Sequence, residues 1–287
     1  MSDVVIRLIS EHDIEFVYTL CKNEHWNYSR KMIKRLIGYE PNGCFIAEVD
    51  GTPVGHVFSI NYGKIGWIGL LIVERKYRRQ GVGTRLMKHV MGYLLNLGVE
   101  TIRLEAVPKI MSLYQKLGFT EEFDSLRFEG INEKAEQSTN SYISLISENE
   151  IAEIAKFDEM YFGANRERVL RKLYADNPET CFAARENSKI VGYIFCCRME
   201  IGYRIGPWVC IPNYVEIAKQ LILKCMEIIE ANAKLYVGVL GVNEAAVRLL
   251  QDLKFRLCPK SIRMYFGRKF ESDRIQGIFS ISGPEKG

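Results

Sequence analysis

The two halves of the 287-residue sequence repeat each other at an offset of about 137 positions. Matching segments recur in the same order: Leu8-Ile9-Ser10-Glu11 and Leu145-Ile146-Ser147-Glu148, Cys44-Phe45 and Cys181-Phe182, Val54-Gly55 and Val191-Gly192, Ile68-Gly69 and Ile205-Gly206. One single-residue slip, to an offset of 136, brings Ser125-Leu126-Arg127 onto Ser261-Ile262-Arg263. A repeat of this length indicates a duplicated domain rather than a solenoid unit.

We therefore predict two domains of similar fold, residues 1–135 and 136–287. The boundary is expected within the polar segment 132–140, and residues 268–287 extend past the repeat without a counterpart. The first half alternates between predicted strands and predicted helices. Strands are predicted at 4–9, 45–49, 54–61, 67–73 and 102–107 and near 119–129, with helices at 11–22, 28–38, 81–97 and 110–117.

This alternation predicts a mixed α/β fold in each half, with a mixed sheet. Asp50-Gly51 is a hairpin signal between two alternating strands, and Gly98 suits the C-terminal end of the helix at 81–97. The strand at 67–73 is almost entirely apolar, so we expect both of its faces to be buried.

The most informative local feature is a basic turn with two glycines between this strand and the following helix. An apolar strand, Leu71-Ile72-Val73, leads through the turn into the helix at Arg78-Arg79-Gln80-Gly81-Val82-Gly83-Thr84. Gln80 is a poor capping residue, so the first amides of the helix need another acceptor. The glycines admit a phosphate to the backbone, and the helix dipole and the arginines favour negative charge. The turn therefore predicts a pyrophosphate site.

Composition excludes several other classes of protein. A net charge of +4 without a block of Lys or Arg argues against nucleic-acid binding. No run approaches the roughly 18–20 apolar residues of a membrane span, and no signal peptide is visible. The eight cysteines contain no C-x-x-C pair, and His12, His25, His56 and His89 have no metal or nucleophile spacing. We expect a cytoplasmic protein with reduced thiols and no metal.

The glycine turn departs from both common nucleotide-binding patterns, G-x-G-x-x-G and G-x-x-x-x-G-K-[ST]. It resembles instead the acetyl-CoA motif of the GNAT superfamily of N-acetyltransferases, R/Q-x-x-G-x-G/A after an L-x-V strand. The second motif of that superfamily stands about 30 residues later as Leu113-Tyr114-Gln115-Lys116-Leu117-Gly118-Phe119. Trp26-Asn27, Gly206-Pro207-Trp208 and Arg263-Met264 further resemble a subgroup with a GNAT-like C-terminal domain.

The resemblance implies that acetyl-CoA is the acyl donor and that the backbone of Leu71, Ile72 and Val73 pairs with its pantetheine arm. The amides from Arg79 to Thr84 would hold its pyrophosphate, with Arg78 beside them. It also implies that Tyr114 lies near the CoA sulfur as general acid, and we predict that a phenylalanine there lowers kcat at least about tenfold. Glu105 is the first candidate for the general base, with Glu48, Glu74 and a chain of waters as alternatives.

The acceptor would be a primary amine of a small molecule or peptide, bound near Trp26, Asn27 and Tyr28. Two alternatives remain open: a non-catalytic CoA-binding module and a protein lysine acetyltransferase. The first half departs from the family pattern at Val107 and Ile110, where Asn and Ala are common. The second half keeps Asn243 but has Leu250 and Lys254 in place of the tyrosine and the glycine of the second motif.

The second half also serves as an internal control for the glycine turn. At offset 137 the turn corresponds to Val215-Glu216-Ile217-Ala218-Lys219-Gln220, in which neither glycine nor arginine occurs. The helix can still form there, but the loss of both glycines disfavours a pyrophosphate. We therefore predict one CoA site per chain. The sequence leaves the oligomeric state open.

Overall fold

The structure is a computed structural model that describes residues 4–133, 142–270 and 274–287. The chain divides into two compact units. The first comprises residues up to 121 together with 264–269 and Lys286, and the second comprises 122–263, 270–285 and Gly287. The boundary expected at 135/136 lies outside the described residues. Residues 122–133 belong to the second unit, whereas the end of the last long strand belongs to the first.

The first unit is a mixed sheet with two pairs of helices. Its elements are β1 (Val4–Leu8), α1 (Ile14–Asn23), α2 (Arg30–Tyr39), β2 (Cys44–Val49), β3 (Thr52–Asn61), β4 (Ile65–Val73), α3 (Val82–Asn96), β5 (Thr101–Ala106) and α4 (Met111–Lys116). The strands follow the chain in the order β1-β2-β3-β4-β5. Neighbouring pairs are antiparallel except β4 and β5, which are parallel.

The second unit repeats this layout. Its elements are β6 (Thr120–Ile131), β7 (Ile143–Leu145), α5 (Ile151–Phe162), α6 (Glu167–Asp176), β8 (Cys181–Glu186), β9 (Lys189–Arg198), β10 (Tyr203–Cys210), α7 (Val215–Ile228), β11 (Lys234–Leu240), α8 (Glu244–Asp252), β12 (Arg256–Gly267) and β13 (Ile278–Ser280). The strand order is β6-β11-β10-β9-β8-β7, and β13 pairs with β10. The predicted α/β class and the tandem arrangement are thereby confirmed.

Local signals in the sequence explain the ends of several elements. Asp50 and Gly51 both have positive φ and join β2 to β3 in the expected hairpin. Gly98 adopts φ +81° after the last turn of α3, as a C-terminal glycine does. Gly118 does the same after α4, where the amide of Phe119 donates to the carbonyl of Tyr114. These turns set the positions at which α3 and α4 pack on the sheet.

Candidate functional site

The central feature of the first unit is a wedge between β4 and β5, the gap that opens where their pairing ends. The parallel ladder runs from Ile65 opposite Thr101 to Ile68 opposite Leu104. Both strands continue beyond this pair, β4 by five residues to Val73 and β5 by two to Ala106. The last part of β4 therefore presents backbone groups that β5 does not pair, and an extended ligand can bind to such an edge.

A β-bulge in β4 marks the start of this wedge. Phe58 of β3 pairs with Gly69 of β4, and His56 pairs with Ile72. Two residues of β3 thus lie opposite three residues of β4. The extra residue forces Leu70 to a φ of +46°, a conformation that costs a leucine free energy. A bulge bends the strand that carries it, and the last residues of β4, beyond the bulge, no longer pair with β5.

The expectation that this strand is buried on both faces is wrong for its second half. Residues 65–68 are buried, but Leu71 and Val73 are half-buried because the strand has left its neighbour. These are two of the three residues for which the resemblance implies pairing with the pantetheine arm, and that role stays a prediction.

The glycine turn lies directly after β4 and has the geometry of an anion site. Arg79 and Gly81 have positive φ, at +63° and +85°, and α3 begins at Val82. No side chain caps this helix, because its N-cap residue is Gly81 rather than Gln80, whose Nε2 donates to the carbonyl of Lys76. A Cβ atom added to Gly81 would meet nothing within 4 Å. Because no side chain caps α3, its first amides are donors whose hydrogen bonds a phosphate could accept.

Arg78 fixes the turn rather than pointing freely into it. Its Nε donates to the carbonyl oxygen of Val73 at 2.7 Å, and its Nη2 lies 2.7 Å from the Glu24 carboxylate. Partial burial would raise the pKa of Glu24, but Arg78 and Arg75 outweigh this effect and hold it below its ordinary value. Glu24 follows α1, so this ion pair ties the glycine turn to the α1–α2 connection. Glu24 carries no signal in the sequence, because only the fold brings it near the turn.

The α1–α2 connection carries the three residues predicted to bind the acceptor. His25 ends α1 with φ +57°, and the amide of Trp26 donates to the carbonyl of Cys21. Trp26 and Asn27 are half-buried and Tyr28 is buried. The ion pair between Arg78 and Glu24 holds this segment on the same side of the unit as the glycine turn. Their role in acceptor binding stays a prediction.

Tyr114 is a buried residue of α4, the helix that follows β5. Its side chain is 5% exposed, and its ring meets Phe119 edge-on at 6.0 Å between centroids. Burial raises the pKa of the phenol above its usual value, so the hydroxyl keeps its proton at neutral pH. A protonated phenol can donate to a developing thiolate, which is the state that a general acid requires.

The three candidate bases differ in their position relative to the wedge, and each of them has a polar partner. Glu48 accepts from Arg7 at 2.8 Å, and Glu74 forms an ion pair with Lys76 at 3.5 Å. Glu105 is half-buried near the end of β5, beyond the last pair of the parallel ladder. Its place at the wedge makes it the strongest of the three candidates.

His56 lies beside the bulge in the core of the unit, edge-on to Phe16 and Phe58. Burial lowers the pKa of His56 to about 3, which outweighs an opposing contact with the backbone of Leu70. The imidazole of His56 therefore remains neutral at physiological pH. The corresponding residue of the second unit is Tyr193, whose hydroxyl donates to Asp158, and Asp158 forms a buried ion pair with Arg166.

The second unit differs at the glycine turn in a way that the constant offset did not predict. The connection from β4 to α3 spans residues 74–81, whereas that from β10 to α7 spans only 211–214. Gly66 pairs with Ile102 in the first unit, and its counterpart Tyr203 pairs with Leu235 in the second. The offset is 137 between Gly66 and Tyr203 but only 133 between their partners Ile102 and Leu235. The turn is shortened by four residues, and Val215 and Ala218 are helical residues of α7 rather than substituted turn residues.

Two family models match the chain and together span most of it. The first, described as the acetyltransferase (GNAT) family, matches residues 12–119, and the second, an acetyltransferase (GNAT) domain, matches residues 154–280. The holothin acyltransferase of Pseudoalteromonas sp. (strain SANK 73390) is 22% identical over 90% of this chain and 87% of its own. The uncharacterized N-acetyltransferase YitH of Bacillus subtilis (strain 168) is 24% identical over 77% of each chain.

Solved structures share the whole two-unit fold. A crystal structure of a putative acetyltransferase from Pyrococcus horikoshii has a TM-score of 0.81 at 23% identity, covering 99% of this chain and 96% of its own. A tandem GNAT protein from the clavulanic acid biosynthesis pathway has a TM-score of 0.65 at 11% identity, covering 94% and 100%.

The fold and the site thus define a class, the acyltransferases with two GNAT domains. The chain belongs to the GNAT family of acetyltransferases. Within the described residues, no group of three His, Cys, Asp or Glu side chains could hold a metal ion. In the same part of the chain, no helix is long and apolar enough to cross a membrane.

Proposed function

We propose that the protein is an acetyl-CoA-dependent N-acetyltransferase that transfers the acetyl group to a primary amine of a small molecule or peptide. The wedge between β4 and β5, which leads directly into the uncapped helix at Gly81, is the observation that carries this proposal. It offers a strand edge for the two amides of the pantetheine arm and unpaired N–H groups for the pyrophosphate. The eight-residue turn with its two glycines occurs in the first unit alone, since the second unit has only residues 211–214 at the corresponding place.

In the proposed reaction the neutral amine attacks the thioester carbonyl, because a protonated amine has no lone pair. Glu105 takes a proton from the amine, directly or through water. A backbone N–H of β4 beyond the bulge stabilises the oxyanion. Tyr114 donates to the departing thiolate, whose thiol has a pKa of about 8.5. Because burial raises the pKa of Tyr114, hydrogen-bond donation is favoured over complete proton transfer until negative charge has developed on sulfur.

The acceptor side is proposed to be the α1–α2 connection, with Trp26, Asn27 and Tyr28. The ion pair between Arg78 and Glu24 supports this assignment, since it holds that connection against the turn that would bind the donor. One relative is named for the acylation of holothin, which favours small-molecule amines as the first acceptors to test.

The test is a spectrophotometric assay of thiol release from acetyl-CoA across polyamines, amino sugars, amino acids and peptides. Longer acyl-CoA donors are included, since that relative is named an acyltransferase. We expect thiol release that depends on one class of amine, and a calorimetric titration with one CoA per chain. Tight CoA binding without turnover on any amine would instead support the alternative of a non-catalytic CoA-binding module. Turnover on lysine-containing peptides alone would support a protein lysine acetyltransferase.

A further inference from the structure

The second unit retains the same wedge as the first. Its parallel ladder between β10 and β11 ends at Ile205 opposite Val237, and Ile205 is the counterpart of Ile68. A bulge follows at the same place, since Cys196 pairs with Ile205 but Ile194 pairs with Trp208. The unit has therefore kept the splayed strands although it has lost the glycine turn.

A segment of the same chain fills this second wedge. We call residues 276–281 the plug segment; β13 forms its centre. Ser280 pairs with Trp208 of β10 in antiparallel fashion, and Trp208 is the counterpart of Leu71. On the other side, the amide of Ile281 donates to the carbonyl of Gly238 in β11 at 2.8 Å. The plug segment thus hydrogen-bonds to both strands, whereas in the first unit no strand of the described residues lies between β4 and β5.

The side chain of Asn243 secures the plug segment through its backbone. Asn243 is completely buried, and its Nδ2 donates to the carbonyls of Gln276 and Ile278 at 2.9 Å each. It stands where the first unit has Val107, immediately before the helix of the second motif. An asparagine that is absent from the first unit but kept in the second is therefore explained by its two bonds to peptide carbonyls.

The walls of the second wedge are shaped to the plug segment. A Cβ atom on Gly238 would lie 2.8 Å from Cγ1 of Ile281, and one on Gly206 would collide with the carbonyl oxygen of the same residue. Phe279 is 1% exposed and packs on Trp208, with 5.1 Å between ring centroids. Ser280 is also buried, and its hydroxyl donates to the carbonyl of Ile205 at 2.7 Å. Such fit is typical of a specific strand-binding groove.

We propose that the plug segment is an internal ligand of the second unit, and that the wedge between β10 and β11 is a groove for one extended peptide strand. Its amides take the place that, under the proposed function, the amide-containing arm of the acyl donor takes in the first unit. The second wedge has thus changed its ligand class from a cofactor arm to a polypeptide strand, which the chain itself supplies.

The test uses the full chain with the variant Asn243→Asp. The aspartate keeps the acceptor that caps α8 through the amide of Ala246, but it removes both donors to the plug segment. We expect amide hydrogen exchange at 278–281 to rise at least tenfold. A fluorescent peptide with the sequence of residues 274–284 should then bind the variant, whereas the wild type, whose groove is filled, should not take it up.

Two further variants keep the result interpretable. Asn165→Asp alters an exposed asparagine of the same unit, and it should leave both measurements unchanged. Gly238→Ala crowds Ile281 from β11, and it should also speed exchange of the plug segment. Unchanged exchange in both Asn243→Asp and Gly238→Ala would overturn the proposal, as would uptake of the peptide by the wild type. Neither measurement involves CoA, so failure of CoA to bind would count against the proposed function alone.

Discussion

The wedge between β4 and β5 and the wedge between β10 and β11 are the same structure with different contents. Both open after the same ladder position and behind the same bulge. The first leads into an eight-residue turn with two glycines, whereas the second leads into a four-residue connection and holds the plug segment. The splayed sheet is thus common to both units, which differ in the length of the turn that follows it and in what the wedge holds.

The largest effect is expected from a substitution in the turn of the first unit. In Gly81→Val, a β-branched residue must adopt φ +85° and its side chain enters the open space before α3. We expect acetyl-CoA affinity, measured by calorimetry, to fall at least about thirtyfold, or about 2 kcal/mol. Gly92→Ala provides a control in the same helix, with open space at the Cβ position, and should bind normally. Equal affinity of the two variants would contradict an anion site at the turn.

A second prediction concerns Tyr114, the residue at which α4 differs from its counterpart α8. Tyr114 corresponds to Leu250 in α8, so the second unit has no phenol at this place. Tyr114→Phe should lower kcat at least about tenfold, or about 1.4 kcal/mol, because the donor to the thiolate is lost, while acetyl-CoA affinity changes little. Steady-state kinetics and calorimetry on one protein preparation separate these effects. A kcat close to that of the wild type would remove Tyr114 as general acid.

A third prediction concerns His56, because of which the stability of the first unit is expected to fall at acid pH. The folded pKa of His56 is about 3 and the unfolded value is about 6.5, so between these values the unfolded state binds the proton. The contribution of His56 to stability is complete above pH 6.5 and falls by up to about 1.4 kcal/mol per pH unit as the pH drops toward 3. Tyr193, its counterpart, carries no charge in this range.

Urea denaturation at pH 7, 6, 5 and 4 measures this effect. The stability of His56→Phe should decline less steeply with acid than that of the wild type, and the difference should appear in the unfolding of the first unit. His12→Phe, at an exposed position, is the control and should follow the wild type. Parallel pH curves for His56→Phe and the wild type would show that the imidazole titrates normally.

Much of this fold was predictable, because its signals are local. Apolar spacing predicted the helices, Asp50-Gly51 predicted a hairpin, and Gly98 predicted the end of α3, each from a few neighbouring residues. The glycine turn was recognisable for the same reason. Even the repeat was visible, since α1 and α5, like β3 and β9, are separated by the same 137 positions.

Non-local features were not predictable. Leu70 has no preference for positive φ, so only its pairing with β3 produces the bulge. A constant offset cannot reveal that four residues are missing between β10 and α7, and it therefore assigned a substitution where the structure has a shortening. β13 has three residues, too few for a periodic pattern, and its partner in β10 lies about seventy residues earlier. The link from Arg78 to Glu24 likewise depends on the folded chain.

Beyond Ile205, the parallel ladder between β10 and β11 leaves two strand edges that do not pair with each other. An uncovered strand edge is a template for aggregation, so natural proteins keep such edges covered. The plug segment covers both edges, since it pairs with β10 and, on the side of β11, the amide of Ile281 donates to the carbonyl of Gly238. The same segment that fills the wedge thus also shields the second unit from the addition of a strand from another chain.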